Sequence, residues 1–257
     1  MNFLNILKGK RKENLLWESK DSVLTVQVWE KGERRELRFG NKVIQSVYSI
    51  VKPHYLVLPY TRFMLLSLIF CPNPKSILHI GLGGGSIARW FHVEFPDIQQ
   101  SIIEVNKNVI EASHRFFKFP KDKRLKVINA DASKVVPSMS EKFDLIFLDA
   151  FTDFGAPKSV KKIDFLRSLR GCLNTSGLAV GNFWTLTGDF KEQCEIWGSI
   201  FCSVHNSRAN KKGNEILFGS NLPKMDEEIK LHQISKILEK RYQIEFPKMN
   251  MDLKKLY

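Results

Sequence analysis

Ser76-Ile77-Leu78-His79-Ile80-Gly81-Leu82-Gly83-Gly84-Gly85-Ser86 is the stretch that decides the fold. Its first five residues are mostly apolar and fit a buried strand, and after the glycines the pattern of Ile87–Phe95 is helical. Glycines between a strand and a helix leave the backbone open to a ligand, because a side chain there would block the strand end and the helix N-terminus. A glycine turn alone is weak evidence. The next strand, Gln100–Glu104, ends in an acid 23 positions after Gly81. That is close to the spacing of about 20 at which a carboxylate meets the ribose of an adenosine-type cofactor.

Outward from this stretch the alternation of strand and helix continues. A helix is expected over Asn108–Phe117, strands over Leu125–Asn129 and Phe143–Asp149, a helix over Asp164–Leu173 and a fifth strand over Leu178–Phe183. Such alternation indicates a parallel sheet with helices on both faces. The end differs: helix Phe190–Phe201 precedes Val204–Arg208, a turn at Lys211–Asn214, and Glu215–Gly219, a terminal β-hairpin. Upstream, residues 14 to 49 alternate in a strand-like way. Leu24, Val26 and Val28 share one face; turns fall at Lys31–Glu33 and Gly40-Asn41; further strands fit Glu36–Phe39 and Val43–Ser49. Pro59 opens a helix Tyr60–Phe70, which Cys71-Pro72-Asn73-Pro74 ends. The expected fold is therefore α/β: a Rossmann-like, mostly parallel sheet with a terminal antiparallel hairpin over 59–257, and a small antiparallel β module over 1–58.

Two more acids stand at strand ends, Asp131 in Asn129-Ala130-Asp131-Ala132 and Asp149 in Phe147-Leu148-Asp149-Ala150. Open α/β sheets bind ligands at the carboxyl ends of their strands. Gly81, Gly83, Gly84, Gly85, Glu104, Asp131 and Ala132 should then converge on one cofactor, with Asp131 suited to an adenine amino group. Asp149 would face the reacting part. Trp184, ending the fifth strand, is a candidate wall of the acceptor pocket.

Ser76 to about Trp184 resembles the adenosyl-sulfonium-binding fold shared by class I methyltransferases and polyamine aminopropyltransferases. Two features are similar to the spermidine synthases in particular. Lys42-Val43-Ile44-Gln45-Ser46 resembles that family's Gly-Val-Ile-Gln segment, and Tyr60 stands where the family places a substrate-contacting tyrosine. The resemblance implies an enzyme using S-adenosylmethionine or its decarboxylated form and transferring an aminopropyl group to a small amine. It further implies that Asp149 is catalytic, that Gln45 lies near the cofactor, that Tyr60 and Asp153 line the acceptor side, and that the protein is a homodimer. The chain departs from the family at three points. Gly84 replaces the acid of the glycine loop, Thr152 replaces a second acid with Asp153 one residue on, and Thr61-Arg62 follows the tyrosine where an acid is common. Two other readings stay open: a methyltransferase using intact S-adenosylmethionine, and a non-catalytic ligand-binding homologue.

The charge balance bears on the substrate. Forty Lys and Arg against 27 Asp and Glu leave +13, with basic clusters at Lys8–Lys12, Lys158–Lys162 and Arg208–Lys212. Such an excess attracts anions, nucleic acid among them, and disfavours a strongly cationic substrate. No Pro-Pro-aromatic motif follows Asp149, and no RNA-binding appendage is evident. The four cysteines lack CxxC spacing and read as reduced, which points to the cytoplasm. No histidine or cysteine cluster has ligand spacing, so no metal is expected. His79 and His114 read as packing residues. The longest apolar stretch, Phe63–Cys71, is far short of the ~20 residues of a membrane span.

Overall fold

The computed structural model describes residues 13–22, 24–40, 43–152, 155–209, 213–223 and 228–257. Strands β1 (Glu13–Lys20), β2 (Thr25–Lys31), β3 (Arg34–Phe39) and β4 (Val43–Ser49) form an antiparallel sheet in sequence order. Two short helices, α1 (Pro59–Met64) and α2 (Ser67–Phe70), lead into an eight-stranded sheet. Along the chain that sheet is built from β5 (Ser76–Ile80), α3 (Ser86–Glu94), β6 (Gln99–Glu104), α4 (Lys107–Phe116), β7 (Leu125–Asn129), α5 (Ala132–Val135) and β8 (Phe143–Leu148). It continues with α6 (Lys158–Lys161), α7 (Ile163–Gly171), β9 (Leu173–Trp184), α8 (Phe190–Ile200), β10 (Ser203–Arg208) and β11 (Asn214–Ser220). The last elements are α9 (Glu228–Tyr242), α10 (Phe246–Asn250) and β12 (Lys254–Lys255).

The spatial order is β12-β10-β11-β9-β8-β5-β6-β7. β9, β8, β5, β6 and β7 run parallel, and β9–β11, β11–β10 and β10–β12 pair antiparallel, as the expected terminal hairpin requires. β5 and β8 are apolar on both faces because helices cover both. Ile77, Leu145 and Phe147 pack in one core layer, and Leu78, Ile80, Ile146 and Leu148 in the other. The small sheet docks through a third cluster. Val26, Val28, Leu37, Phe39 and Tyr48 close on Val109, Ala112 and Phe117 of the α4 region. This docking hangs β4 over the glycine loop.

Several elements differ from expectation. The helix expected over Tyr60–Phe70 is two, because Leu65 and Leu66 donate to Arg62 and Phe63 three residues back. This tighter winding turns Met64, Leu65, Leu66, Leu68 and Ile69 all inward, more apolar sides than one straight helix can bury. The N-terminal sheet has a fourth strand, β1, in the part of the strand-like stretch to which no separate strand was assigned, and its side chains are largely exposed. β9 starts at Leu173, since a register shift against β8 between Phe143 and Leu145 absorbs Asn174–Gly177. Beyond β11, α9 and α10 were unanticipated; Leu231, Leu238, Phe246 and Met249 complete the core layer containing α1 and α2. The expected turns at Gly40-Asn41 and Lys211–Asn214 lie partly outside the described residues.

His79 packs as expected, stacked on Phe147 with Nε2 2.9 Å from Gln100 Oε1. His114 Nδ1 lies 2.9 Å from the Phe119 carbonyl. All four cysteines are free. No described helix is long and apolar enough to cross a membrane.

Candidate active site

The carboxyl ends of β5, β6, β7 and β8 open into one cavity of about 460 Å³, bordered by Gly81, Gly83, Glu104, Asp131, Ala132 and Asp149. β4 contributes Gln45 and α1 contributes Tyr60 to the same wall. Seven of the anticipated cofactor and catalytic positions, with Tyr60, are thus brought together by the ends of strands that are separated along the chain by intervening helices.

The loop's glycines are required for different reasons. Gly81 has φ +97°, and a β-carbon on it would lie 2.4 Å from the backbone oxygen of Asp149. Gly84 and Gly85 have their open sides filled by protein. A β-carbon on Gly84 would lie 2.8 Å from the Phe117 ring and 3.0 Å from Ser46 Cβ, and one on Gly85 2.4 Å from the Phe119 ring. The family's loop acid is therefore not merely absent at Gly84, because the space beside its α-carbon is occupied. Gly84 N–H donates to Ser46 Oγ at 2.9 Å. Arg89 holds the loop from beneath, donating to the carbonyls of Gly84 at 3.0 Å, Phe117 at 2.9 Å and Pro53 at 3.2 Å. Burial pushes this guanidinium down to about 10. Sequence reasoning overlooked Arg89, although a basic residue within the buried stretch Ile87–Phe91 of α3 is a usable signal.

Glu104 is 8% exposed, and its oxygens accept from Leu82 N–H and Asn106 N–H, both at 2.9 Å. Burial raises its pKa, opposed by these backbone donors. A carboxylate has about four acceptor positions, so capacity remains for ribose hydroxyls. Gln45 Nε2 is buried with no hydrogen-bond partner, a donor that an adenosine ligand in this cavity would satisfy. The residues present thus fit the adenosyl group. Glu104→Gln would turn an amide donor toward one of the two backbone N–H groups and remove the charge. Affinity for S-adenosylhomocysteine is expected to fall about 100-fold by calorimetry, in line with hydrogen bonds to a charged group. Unchanged affinity would place the ribose elsewhere.

Asp131 caps α5, with Oδ1 accepting from Ser133 N–H at 2.9 Å and Ser133 Oγ–H at 2.8 Å. Its cap role and its place at the cavity edge coexist, since both bonds fall on one oxygen. Asp149 lies just beyond β8, its N–H bonded to Ile80 O. Oδ2 accepts from Tyr60 O–H at 3.2 Å and Oδ1 from Asn182 Nδ2 at 2.8 Å. The side chain keeps some surface toward the cavity, yet its depth pushes the carboxyl up to about 6, against the pull of both donors. Tyr60 is raised well above its usual value by burial and by the Asp149 charge, so it stays a neutral donor. Asn182 was also overlooked in sequence. An amide inside the apolar run Leu178–Trp184 was the signal, since a buried polar group needs a partner.

Phe151 borders the cavity, and Trp184 packs against it edge-on at 5.8 Å rather than lining the cavity itself. Thr152 is bonded to Gly155, and Arg62 turns away to the Leu56 carbonyl and over the Tyr55 ring. Asp153 lies outside the described residues. Among the described residues no group of three or more His, Cys, Asp or Glu could hold a metal ion.

A parallel sheet with a glycine loop after its first strand, a ribose-suited acid after the second and a terminal antiparallel hairpin defines the class I methyltransferase-type transferase fold. Within that class, residues 59–204 match the spermine/spermidine synthase domain, and the chain belongs to this family. It is similar to the polyamine aminopropyltransferase of Neisseria meningitidis, 30% identical over 233 residues that cover 89% of each chain. Among solved structures, a probable spermidine synthase from Corynebacterium glutamicum superposes with a TM-score of 0.75 at 19% identity, covering 87% of this chain and 86% of that one. Human Methyltransferase-like protein 13, solved with SAH, superposes at 0.63 with 22% identity, covering 73% and 90%.

Proposed function

We propose that the chain is an aminopropyltransferase that takes its group from decarboxylated S-adenosylmethionine and delivers it to a small amine. The observation that carries this reading is Asp149, held deep in the adenosyl-suited cavity by two donors. Family membership and the name of the Neisseria relative support it. Gly81, Gly83, Gln45 and Glu104 would hold the adenosyl moiety, with Asp131 and Ala132 at its base end. Bound there, the donor supplies an electrophilic propyl carbon beside its sulfonium; the amine nitrogen bonds to it as the carbon–sulfur bond breaks and methylthioadenosine leaves. Only a neutral amine can attack. With its carboxyl near 6, Asp149 is ionised at neutral pH and accepts the amine's proton. Tyr60 and Asn182 keep it aimed. The acid limb of kcat/KM is therefore expected near pH 6, with activity lost as Asp149 protonates below it; a flat profile from pH 5 to 8 would remove Asp149 from the chemistry.

Methyl transfer from intact S-adenosylmethionine is the second reading, and Gly84 favours it. The decarboxylated donor ends in an unbalanced ammonium, whereas the intact one carries its own carboxylate, and the space beside Gly84 admits no acid. The deciding experiment offers purified protein each donor in turn, with putrescine, longer polyamines or a metabolite extract, and analyses products by mass spectrometry. Methylthioadenosine from the decarboxylated donor, dependent on acceptor, supports aminopropyl transfer. S-adenosylhomocysteine from the intact donor overturns it in favour of methyl transfer. Neither product despite donor binding identifies a non-catalytic homologue.

A further inference from the structure

The terminal hairpin reaches the carboxylate in the cavity through side chains of β9 and β11. Asn182 sits on β9 opposite Ile216 of β11, and Asn214 lies two residues before Ile216 on the same strand. Residues two apart on a strand share a face, so Asn214 is the diagonal neighbour of Asn182, within reach of a side-chain amide. Asn214 Nδ2 donates to Asn182 Oδ1 at 2.9 Å, and Asn182 Nδ2 donates to Asp149 Oδ1 at 2.8 Å. A chain of hydrogen bonds thus runs from the hairpin to the carboxylate in the cavity.

An amide can sit either way round, and the network decides which end is the donor. Without a donor at Asn214, the Asn182 amide is free to turn its oxygen toward Asp149, where it would repel the ionised carboxyl. Asn182 is 2% exposed, so in the folded chain its amide depends on protein partners. Asn214 itself is anchored, because both the N–H and the hydroxyl of Thr185 donate to the neighbouring Gly213 carbonyl, at 2.8 and 3.1 Å.

We propose that Asn214 is a positioning residue of the active site: it orients the Asn182 amide so that Asp149 keeps a donor and remains an ionised acceptor. This rests on the assignment of Asp149 as the proton acceptor, but its physical content is independent of which group is transferred. Among the described residues the other ionisable groups around Asp149 do not compete. From α1, Tyr60 stays neutral, and Arg62 is turned to Leu56 O. From β5, His79 is pushed down to about 4 by burial. Glu104 and Asp131 lie at the ends of the neighbouring strands and are untouched by the changes below. On β11, Glu215 alternates with Asn214 and pairs with Arg208 and Asn206.

The test titrates Asp149 directly in the ligand-free protein, by its carboxyl band in infrared difference spectra, with Asp149→Asn as the blank. Asn214→Leu and Asn182→Leu are each expected to move the titration upward by about one pH unit, the size expected for losing one hydrogen bond to a charged form. The acid limb of kcat/KM should move with it. If Asn214→Leu does not fold, Asn214→Ala removes the same donor with less bulk and is read the same way. A folded Asn214 variant with an unmoved titration overturns the proposal, even if its activity falls. Because donor and amine are absent, failure of the transferase reading would leave this titration unaffected, and an active wild type with an unmoved variant would sink the proposal alone.

Discussion

Asp149→Asn is expected to lower kcat about 1000-fold while leaving affinity for S-adenosylhomocysteine within a factor of about three. Loss of a positioned proton acceptor costs typically 10²–10⁴-fold. Asparagine retains the shape and can still accept from Tyr60, so the cavity proposed for the adenosyl group is preserved. Single-turnover kinetics and calorimetry separate the two effects. Turnover within tenfold of wild type would remove Asp149 from its assigned role.

The same variant carries a stability signature of opposite sign. Burial raises the folded-state pKa of Asp149 from 3.8 to about 6. The wild type therefore holds its full stability below about pH 4 and loses part of it as pH rises through about 6, because the buried carboxyl must ionise. A shift of about two units corresponds to about 3 kcal/mol. Asparagine does not titrate, so the variant should gain about that much relative to wild type between pH 4 and pH 8. Denaturant unfolding at the two pH values reads it. A gain in stability with loss of turnover is what a functional group kept in an unfavourable place produces.

Gly81→Ala is expected to abolish adenosyl binding and to destabilise the fold by about 4 kcal/mol, among the largest effects of a single substitution. The cause is twofold, a positive φ of +97° and a β-carbon 2.4 Å from the backbone oxygen of Asp149. Backbone cannot swing aside as a side-chain end can. Gly188 is the control, with φ +77° and nothing within 4 Å of an added β-carbon. Gly188→Ala should therefore cost about 1–2 kcal/mol, the conformational strain alone. Equal losses in the two variants would show that close approach of the loop to β8 is not what selects glycine at position 81.

The sequence carried more of the cofactor side than of the acceptor side. Gly81, Glu104, Asp131 and Asp149 each end or follow a strand, and strand ends are local features that hydrophobic pattern reveals. Gln45 and Tyr60 were placed by resemblance, and both border the cavity. Trp184 was a candidate for the acceptor wall; Phe151 borders the cavity, and Trp184 packs edge-on against Phe151. β1 falls in the stretch read as strand-like but received no bounds of its own, since its largely exposed side chains mark no apolar face, and α9 was missed because its pattern announces no partner until α1 and α2 stand beside it.

From sequence alone followed the strand–helix alternation from β5 to β11, the glycine turn and the acids at the strand ends, because each follows from the conformational preferences and periodicity of a few neighbouring residues. What surrounds them depends on long-range pairing. β8 lies between β5 and β9, and β9 pairs with β11, so residues 149, 182 and 214 meet across the sheet although nothing local links them. The docking of β4 and the α4 end onto the loop is what fills the space at Gly84. Hydrogen-bond partners, burial and the charge state of Asp149 are set by such long-range neighbours, which only the folded chain brings within contact.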